Sequence, residues 1–197
     1  MIDLKLAIDN YHQISETTWV ALQSLVQQQE VSKGELVLRG GNLARYIHFV
    51  NTGCLRAFYI DKNGSVYNKN LFLEGSFAAS KVSLLTKSPS YFSIEALEDT
   101  ILYNINFEQY KALQDKHPDL QRFYIAYIEQ SWIINREQNE VALVMVAAKE
   151  RYLKFLSENE GIEKRIAQHH IAAHLAITPT QLSRIRKSLK SDLNQHM

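Results

Sequence analysis

The hydrophobic pattern changes twice along the chain. Over residues 1 to 30 it predicts helical structure, because apolar residues recur at intervals of three or four: Trp19, Leu22, Leu25 and Val26. From Gly34, short runs of β-branched and aromatic residues alternate with Gly, Asn and Asp, which predicts an antiparallel sandwich or barrel. One hairpin turn is predicted at residues 61 to 64, Asp-Lys-Asn-Gly, since Asn and Gly tolerate positive φ.

Helical spacing returns after Ile105, where a long apolar stripe is the main feature. A short helix is predicted to end before Pro118, followed by one helix over residues 119 to 147, about 43 Å long. Apolar residues recur along it every seven positions, at Leu120, Tyr127, Ile134, Val141 and Ala148. A heptad stripe favours a partner helix from a second subunit, and packing within the same chain is the alternative. We expect a dimer interface formed by Leu120, Tyr124, Tyr127, Ile134, Val141 and Met145.

A proline near the C-terminus marks the predicted start of a further helix. Thr178 is the expected N-cap, Pro179 occupies the first helical position, and Gln181 completes a capping box. Ile177 and Leu182 form the expected hydrophobic staple. One face of this helix is apolar, with Leu182, Ile185 and Leu189. The opposite face and its flanks are polar and basic, with Thr180, Ser183, Arg184, Arg186, Lys187 and Lys190.

Two shorter helices are predicted before it. Residues 149 to 161 predict one with Gly161 beyond its end and three inward residues, Tyr152, Leu153 and Leu156. Residues 167 to 175 predict another, with Ile171 and Leu175 inward and small residues for a close helix crossing at Ala172 and Ala176. A turn of about three residues then leads to the capped helix, and this combination is typical of a helix-turn-helix unit.

Charge is distributed unevenly along the chain. The net charge is +1, but residues 162 to 190 carry +5 and residues 1 to 161 carry −3. A basic segment on a mildly acidic body indicates one part that faces nucleic acid. The N-terminus lacks a signal-peptide pattern, and the longest apolar run, residues 141 to 148, is far too short to span a bilayer. We therefore expect a cytoplasmic protein with no membrane association.

Several residues with reactive side chains are expected to have structural rather than chemical roles. The single cysteine, Cys54, excludes an internal disulfide and a cysteine-ligated cluster, and we expect it in the core. His48 is expected to be half-buried. Three histidines have helical metal spacing, but we expect them to face phosphate or solvent: His169, His170 and His174. Glu95, Glu98 and Asp99 are interpreted as part of a turn. No nucleotide-binding or hydrolase motif is present, so we expect no enzyme, no metal and no cofactor.

The order of β-sandwich, long helix and C-terminal helix-turn-helix resembles the Crp/Fnr family of bacterial transcription regulators, and most closely its ligand-orphan branch. The resemblance covers nearly the whole chain and rests on residues 46 to 64, 94 to 105 and, most specifically, 169 to 189. It implies an α+β fold: an antiparallel, jelly-roll-like β-roll with flanking helices. It also implies three parts, a cyclic-nucleotide-binding-like sensor domain at residues 1 to 117, a dimerisation helix at 118 to 148, and a DNA-binding domain at 149 to 197.

In this family the DNA-reading helix carries a Ser/Thr cap and a Ser/Gly-Arg pair, which Thr178 and Ser183-Arg184 match. Pro179 stands where cyclic-AMP-responsive members have arginine, so the family's DNA sequence is not carried over. The resemblance and the charge pattern together predict contact with double-stranded DNA at Thr178, Thr180, Gln181, Ser183, Arg184, Arg186, Lys187 and Lys190.

The cyclic-nucleotide pocket departs from the family pattern. The family's phosphate-binding arginine falls on Ser90, its serine neighbour on Tyr91, and its glutamate near Ser80. A buried phosphate needs a cation or many donors, and Lys81 or Lys87 is a weaker substitute because lysine lacks the bidentate fork. We expect Tyr91 and Phe92 to fill space, no high-affinity binding of cyclic AMP, and any effector pocket to lie at Ser80, Lys81, Ser90 and Tyr91.

The predicted function is a homodimeric, DNA-binding transcription regulator of the Crp/Fnr type that recognises a near-palindromic site. An unknown small-molecule effector is a possible partner. The alternative is a small-ligand or cyclic-nucleotide sensor that acts through protein partners and retains a vestigial DNA-binding unit.

Overall fold

The computed structural model describes residues 3 to 64 and 66 to 194. The chain separates into two compact units, residues 1 to 134 and residues 135 to 197. The division into three parts at residues 117 and 148 stays a prediction.

The first unit combines a β-roll with helices. Two short helices open it, α1 (Leu4–Asp9) and α2 (Glu16–Gln23), and α3 (Lys81–Thr86) lies between strands. After the roll come α4 (Phe107–Gln114), α5 (Pro118–Ile128) and a π-helical segment, Glu129–Ile134. Eight strands are present in the described residues: β1 (Val26–Val31), β2 (Leu36–Leu38), β3 (Tyr46–Thr52), β4 (Leu55–Ile60), β5 (Val66–Phe72), β6 (Phe77–Ala78), β7 (Ser93–Ala96) and β8 (Thr100–Asn106).

The strands pair antiparallel in two four-stranded sheets, ordered β1-β8-β3-β6 and β2-β7-β4-β5. Alternating residues of both sheets meet in an inner core that includes Val50, Leu55, Ile94 and Leu102, each fully buried. A second cluster lies among the helices and includes Ile8, Leu22, Phe49 and Leu120. The predicted antiparallel β-roll with flanking helices is confirmed.

The prediction of helix over residues 1 to 30 is wrong beyond Gln23. Val26–Val31 is strand β1, whose six residues pair with β8 from Ile105 to Thr100. Leu25 and Val26 continued the helical spacing by coincidence. The polar residues that follow them show no alternation because β1 lies at the edge of its sheet, where polar side chains face water.

The predicted hairpin turn is confirmed. Gly64 has φ of +82°, and its N–H donates to the carbonyl oxygen of Asp61 at 3.1 Å. The Asp61 carboxylate accepts from the N–H of Asn63 at 2.8 Å. This local hydrogen bonding connects β4 to β5 in the register that the turn requires.

The apolar stripe after Pro118 divides at the π-helical segment. The first unit ends with α5 and the π-helical segment, and the second unit begins with α6 (Asn135–Met145). The one regular α-helix predicted over residues 119 to 147 is therefore not present as such. Leu120 is fully buried in the first unit, and Tyr127 is half-buried there beside Phe77. These two residues are therefore corrected from interface to core residues, because their own unit already covers them. Ile134, Val141 and Met145 are 43%, 55% and 77% exposed.

The second unit continues with α7 (Ala148–Glu158), α8 (Ile162–Arg165), α9 (Gln168–His174) and α10 (Pro179–Asn194). Ile171, Leu175 and Leu182 are buried as predicted. On α7 the inward residues are Tyr152 and Phe155 rather than Leu153, which is 43% exposed. The prediction for Leu153 is wrong because Phe155, three positions after Tyr152, continues the buried face with a larger side chain.

The turn between α9 and α10 contains a strained alanine. Ala176 has φ of +53°, and its N–H donates to Ala173 while the N–H of Ile177 donates to Ala172. These two bonds form a Schellman motif, in which the left-handed position is usually glycine. Ala172 is fully buried as expected for a close crossing, but Ala176 lies exposed in the turn, so its predicted packing role is wrong.

Ala176→Gly is expected to raise the free energy of unfolding of the second unit by about 0.5–1 kcal/mol, because glycine adopts positive φ without steric cost. Ala173→Gly, inside α9, is the matched control and should lower it by a similar amount. Urea denaturation followed by far-UV circular dichroism measures both. A loss of stability in Ala176→Gly would contradict the assigned motif.

Candidate functional sites

Two buried serines face each other in the first unit. Ser80 is 2% and Ser90 is 3% exposed, and their hydroxyl oxygens lie 2.9 Å apart. The Ser90 hydroxyl also lies 2.7 Å from the carbonyl oxygen of Phe92. Both hydroxyls are hydrogen-bonded within the protein, and neither position offers a charge to a phosphate. The structure thus brings together two of the four residues predicted for an effector pocket.

The expectation that Tyr91 fills this pocket is wrong, since Tyr91 is 77% exposed. Tyr91 lies in a bend just before β7, and its side chain is exposed there while Ser90 is buried. Phe92 is half-buried and packs against the inner core. Lys87 is on the surface, where its amine lies 3.3 Å from the Glu108 carboxylate.

Lys81 is the ionisable residue of the predicted pocket that does approach the interior. Its Nζ lies 3.4 Å from the centroid of the Trp132 ring and donates to the hydroxyl of Tyr127 at 3.2 Å. Lys69, on β5, shares the same indole, with its Nζ 5.8 Å from the ring centroid and 4.5 Å from that of Phe92. Burial, and secondly the charge of Lys69, lower the pKa of Lys81 to about 6. We call these residues the Lys81 site: Lys69, Lys81, Tyr127 and Trp132.

A cavity of about 40 Å³ adjoins this site. Its walls are almost entirely apolar and include the side chains of Lys81 and Tyr127. The remaining walls come from the helices and from the facing sheet, with Leu22, Phe77, Leu84, Phe107 and Phe123 among them.

An internal ion pair lies within the second sheet. Arg56 and Glu95 approach to 2.6 Å, and Arg56 also donates to the side-chain oxygen of Asn68 at 3.2 Å. The interpretation of Glu95 as a turn residue is therefore wrong, because Glu95 lies in β7 directly opposite Arg56 of β4. Cross-strand pairing of opposite charges stabilises the sheet and leaves Glu95 committed to Arg56.

Two of the histidines lie in buried surroundings. His48 is buried, with Nδ1 at 2.7 Å from the Asn104 side-chain oxygen, and burial lowers its pKa. Burial also lowers the pKa of His174, whose ring lies 5.3 Å from that of Phe155. Among the described residues, no group of three or more His, Cys, Asp or Glu is placed to hold a metal ion.

The start of α10 has the predicted capping geometry. The N–H of Thr178 donates to the Gln181 side chain at 2.9 Å, and the N–H of Gln181 donates to the Thr178 hydroxyl at 3.1 Å. This reciprocal pair is a capping box, so both side chains fix the helix start. Leu182 is 1% exposed, so it anchors α10 to the rest of the second unit. The outward face of α10 is solvent-exposed and carries Thr180, Ser183, Arg184, Lys187 and Lys190.

Arg186 differs from its basic neighbours on α10. Its Nε lies 2.9 Å from the Glu163 carboxylate, and both side chains are mostly buried. The hydroxyl of Tyr152 donates to the same carboxylate. Arg186 therefore connects α10 to α8 and α7, and we assign it a positioning role instead of the predicted phosphate contact.

Arg151, on α7, connects the C-terminal ends of two other helices in the second unit. It donates through Nη1 to the carbonyl of Val146 at 2.6 Å and through Nη2 to that of Leu175 at 3.1 Å. Val146 follows α6 and Leu175 ends α9, so one guanidinium on α7 satisfies carbonyls at both ends.

The sequence did not reveal Lys69, Trp132 or Arg56 as members of any site. Lys69 and Trp132 are 63 positions apart in the chain and meet only through folding. The opposite charges of Arg56 and Glu95 were the available signal for their pairing, but recognising the pair requires knowing that β4 and β7 are neighbours in this register.

The described residues form a β-roll of two antiparallel sheets with flanking helices, and a helical unit follows in the chain. The family model described as cyclic nucleotide-binding domain matches residues 28–117. The chain is also similar to the cAMP-dependent protein kinase regulatory subunit of Blastocladiella emersonii, at 24% identity over 122 residues. That match includes 61% of this chain, and the chain spans only 30% of that relative's length.

The solved structures that resemble the chain include one described as a transcriptional regulator of the Crp/Fnr family. FixK2 from Bradyrhizobium japonicum aligns with a TM-score of 0.70 at 18% identity, over 85% of each chain. A Crp/Fnr-family transcriptional regulator from Eubacterium rectale aligns with a TM-score of 0.66 at 18% identity, over 91% of this chain and 85% of its own. At this identity the likeness establishes a shared fold. Within the described residues, no helix has the length and apolar character to cross a membrane.

Proposed function

We propose that the chain is a DNA-binding transcription regulator that recognises a near-palindromic site as a homodimer. The observation that carries the proposal is the exposed face of α10, which presents Arg184 beside Ser183 and Thr180 on a capped, anchored helix. Helix α9, the short turn and α10 then act as a helix-turn-helix unit, with α10 in the major groove. The Crp/Fnr fold of the structural neighbours supports this assignment.

Each exposed residue of α10 has a proposed role. Arg184 recognises a base edge, most suitably guanine, whose two acceptors match the guanidinium fork. Thr180 and Ser183 assist through hydroxyl hydrogen bonds. Lys187 and Lys190 bind phosphates, which set the position of the helix on the duplex. Thr178 and Gln181 contribute mainly by holding the helix start, where the partial positive charge also favours a phosphate.

The proposed dimer forms through the exposed apolar residues that follow Tyr127. These residues are 43% to 84% exposed and comprise Ile133, Ile134, Val141, Leu143, Val144 and Met145. Isolated apolar residues on a surface are common. A group of them along one stretch of helix instead favours packing against the same stretch in a second copy of the chain. Sedimentation of the intact chain measures the proposed dimer, and Val141→Glu is expected to shift it toward monomer.

We propose that cyclic AMP is not the effector. The Ser80–Ser90 pair is neutral and hydrogen-bonded internally, so it lacks the cation that a buried cyclic phosphate requires. Calorimetric titration with cyclic AMP and cyclic GMP tests this point, and submicromolar binding of either would contradict it. No enzymatic activity is proposed.

Fluorescence anisotropy with genomic DNA fragments tests the regulator function. We expect a few fragments to bind far more tightly than the rest, with affinity that falls steeply as salt rises, because bound phosphates release counterions. Binding of all fragments with equal affinity, or no binding at low salt, would contradict the proposal.

A second function is a ligand sensor that acts through a protein partner. The similarity to a protein kinase regulatory subunit favours this function, because the name of that protein describes a subunit that regulates a kinase. The two functions are separated by the same DNA titration, because the sensor function requires no sequence-dependent DNA affinity.

A further inference from the structure

Lys81 is an amine enclosed between aromatic groups at the edge of an apolar cavity. Its Nζ lies over the Trp132 ring, at 3.4 Å from the centroid, and within hydrogen-bond distance of the Tyr127 hydroxyl. Among the residues that the structure describes, no carboxylate pairs with Lys81. An amine in such surroundings is unusual, because buried lysines are ordinarily compensated by an acidic partner.

Burial and the charge of Lys69 favour the neutral form of Lys81, whereas the ring faces of Trp132 and Tyr127 favour its charged form. Lys69 on β5 is the charged neighbour, and Tyr127 on α5 is the titratable one. Tyr110 and Tyr124 also line the cavity, and burial raises the pKa of all three tyrosines, so they stay protonated near neutral pH. With its own pKa lowered to about 6, Lys81 is mostly a free amine at pH 7.

A free amine beside a phenol and an apolar cavity has a recognisable chemistry. Lysines that are desolvated or adjacent to another cation act as nucleophiles toward carbonyl carbons. A neighbouring hydroxyl that keeps its proton can act as general acid for the carbonyl oxygen. The Lys81 site contains these three features together: a desolvated amine, a second cation and a protonated phenol.

We propose that Lys81 is a carbonyl-reactive lysine, and that the Lys81 site takes a short-chain aldehyde or ketone as a reversible imine. The Nζ lone pair attacks the carbonyl carbon and forms the C–N bond, while the carbonyl oxygen takes a proton from Tyr127. Nitrogen then returns one proton to the Tyr127 phenolate and gives its second proton to the hydroxyl group, which leaves as water while the C=N bond forms. One water is released, Tyr127 regains its proton, and no oxidant or reductant is needed.

The cavity limits the size of the ligand. At about 40 Å³, it has room for about three water-sized groups, since one such group needs roughly 10–15 Å³. Its walls offer apolar contact and few polar partners. Carbonyl compounds of about three or four non-hydrogen atoms, such as propanal, therefore match this size, and bulky aromatic aldehydes do not.

Reductive trapping tests the site. The intact chain is treated with propanal and sodium cyanoborohydride at pH 7, and peptide mass spectrometry then follows the labelling rate of each lysine. We expect Lys81 to be labelled at least about tenfold faster than the exposed Lys62, because an ordinary exposed amine is almost wholly protonated at this pH. The Lys81 rate should rise through about pH 6 and then level off. Labelling no faster than at Lys62, or a rate that keeps rising to pH 10, would overturn the proposal.

Two variants separate this chemistry from simple accessibility. Lys69→Met removes the neighbouring charge, so the midpoint of the pH profile for Lys81 should move upward and the rate at pH 6 should fall. Tyr127→Phe should slow trapping without moving the midpoint, and Lys62→Met should change neither. Circular dichroism confirms that each variant is folded. Unchanged profiles in both folded variants would overturn the assigned roles.

A role for the imine in regulation rests on the proposed DNA-binding function, whereas the trapping experiment does not. Trapping at Lys81 with no DNA binding would keep the carbonyl site and reject the regulator. Specific DNA binding with no trapping at Lys81 would keep the regulator function and reject the carbonyl site.

Discussion

Gly53→Ala is expected to destabilise the first unit by about 3 kcal/mol or more. Gly53 has φ of +101°, and a Cβ at this position would lie 2.4 Å from the Thr100 hydroxyl oxygen, 2.8 Å from Thr100 Cα and 2.9 Å from the Asp99 carbonyl oxygen. The last two are backbone atoms, so no rotamer change relieves them. Forced overlap costs about 1–3 kcal/mol and the positive φ adds roughly 1–2.

Gly64→Ala is the matched control for this prediction. Gly64 also has positive φ, +82°, but a Cβ there meets nothing within 4 Å. Its substitution should therefore cost only the conformational part, about 1 kcal/mol. Urea denaturation followed by tryptophan fluorescence reports on this unit, since both tryptophans, Trp19 and Trp132, lie in it. Equal stability losses in the two variants would contradict the close approach at Thr100.

Arg184→Ala is expected to weaken binding to the specific DNA site by about 1–3 kcal/mol, roughly 5- to 150-fold, and to relax sequence choice at one base pair of each half-site. The exposed Arg184 side chain projects from a helix whose opposite residue, Leu182, is buried. Its removal therefore leaves the helix in place. Anisotropy titrations on the specific site and on single-base variants measure both effects.

Lys187→Ala provides the comparison for a phosphate contact. It should weaken binding by a similar factor on every sequence and reduce the salt slope by about one. If Arg184→Ala behaved in this way instead, with equal loss on specific and random DNA, its proposed base-reading role would be wrong.

Features set by neighbouring residues were predictable from the sequence. The capping box at Thr178 and the turn at Gly64 each depend on four consecutive residues, and both have the predicted hydrogen bonds. Strand β1 was missed because its polar edge residues lack alternation. Phe155 was overlooked because the spacing of apolar residues alone does not show which of two adjacent apolar residues faces the core. That depends on the surface against which the helix packs.

The candidate pocket shows where local patterns are insufficient. The resemblance to the Crp/Fnr family implies neutral residues at the phosphate-binding positions, and Ser80 and Ser90 do lie within hydrogen-bond distance of each other. The neighbouring position of Lys81, Lys69 and Trp132 depends on β5, α3 and the π-helical segment coming together in the folded unit. The lowered pKa of Lys81 follows from that burial and so has no signature in the sequence.

Selection of bound sequences from a random DNA library tests the central claim most directly. If two copies of α10 read the major groove in a symmetric dimer, the recovered sites will share an inverted repeat, with half-site centres about 10–10.5 base pairs apart or a multiple of that spacing. The Arg184→Ala chain should recover a repeat with one position in each half-site relaxed. Recovery of no common sequence, or of a single unrepeated motif, would contradict the proposed dimeric regulator.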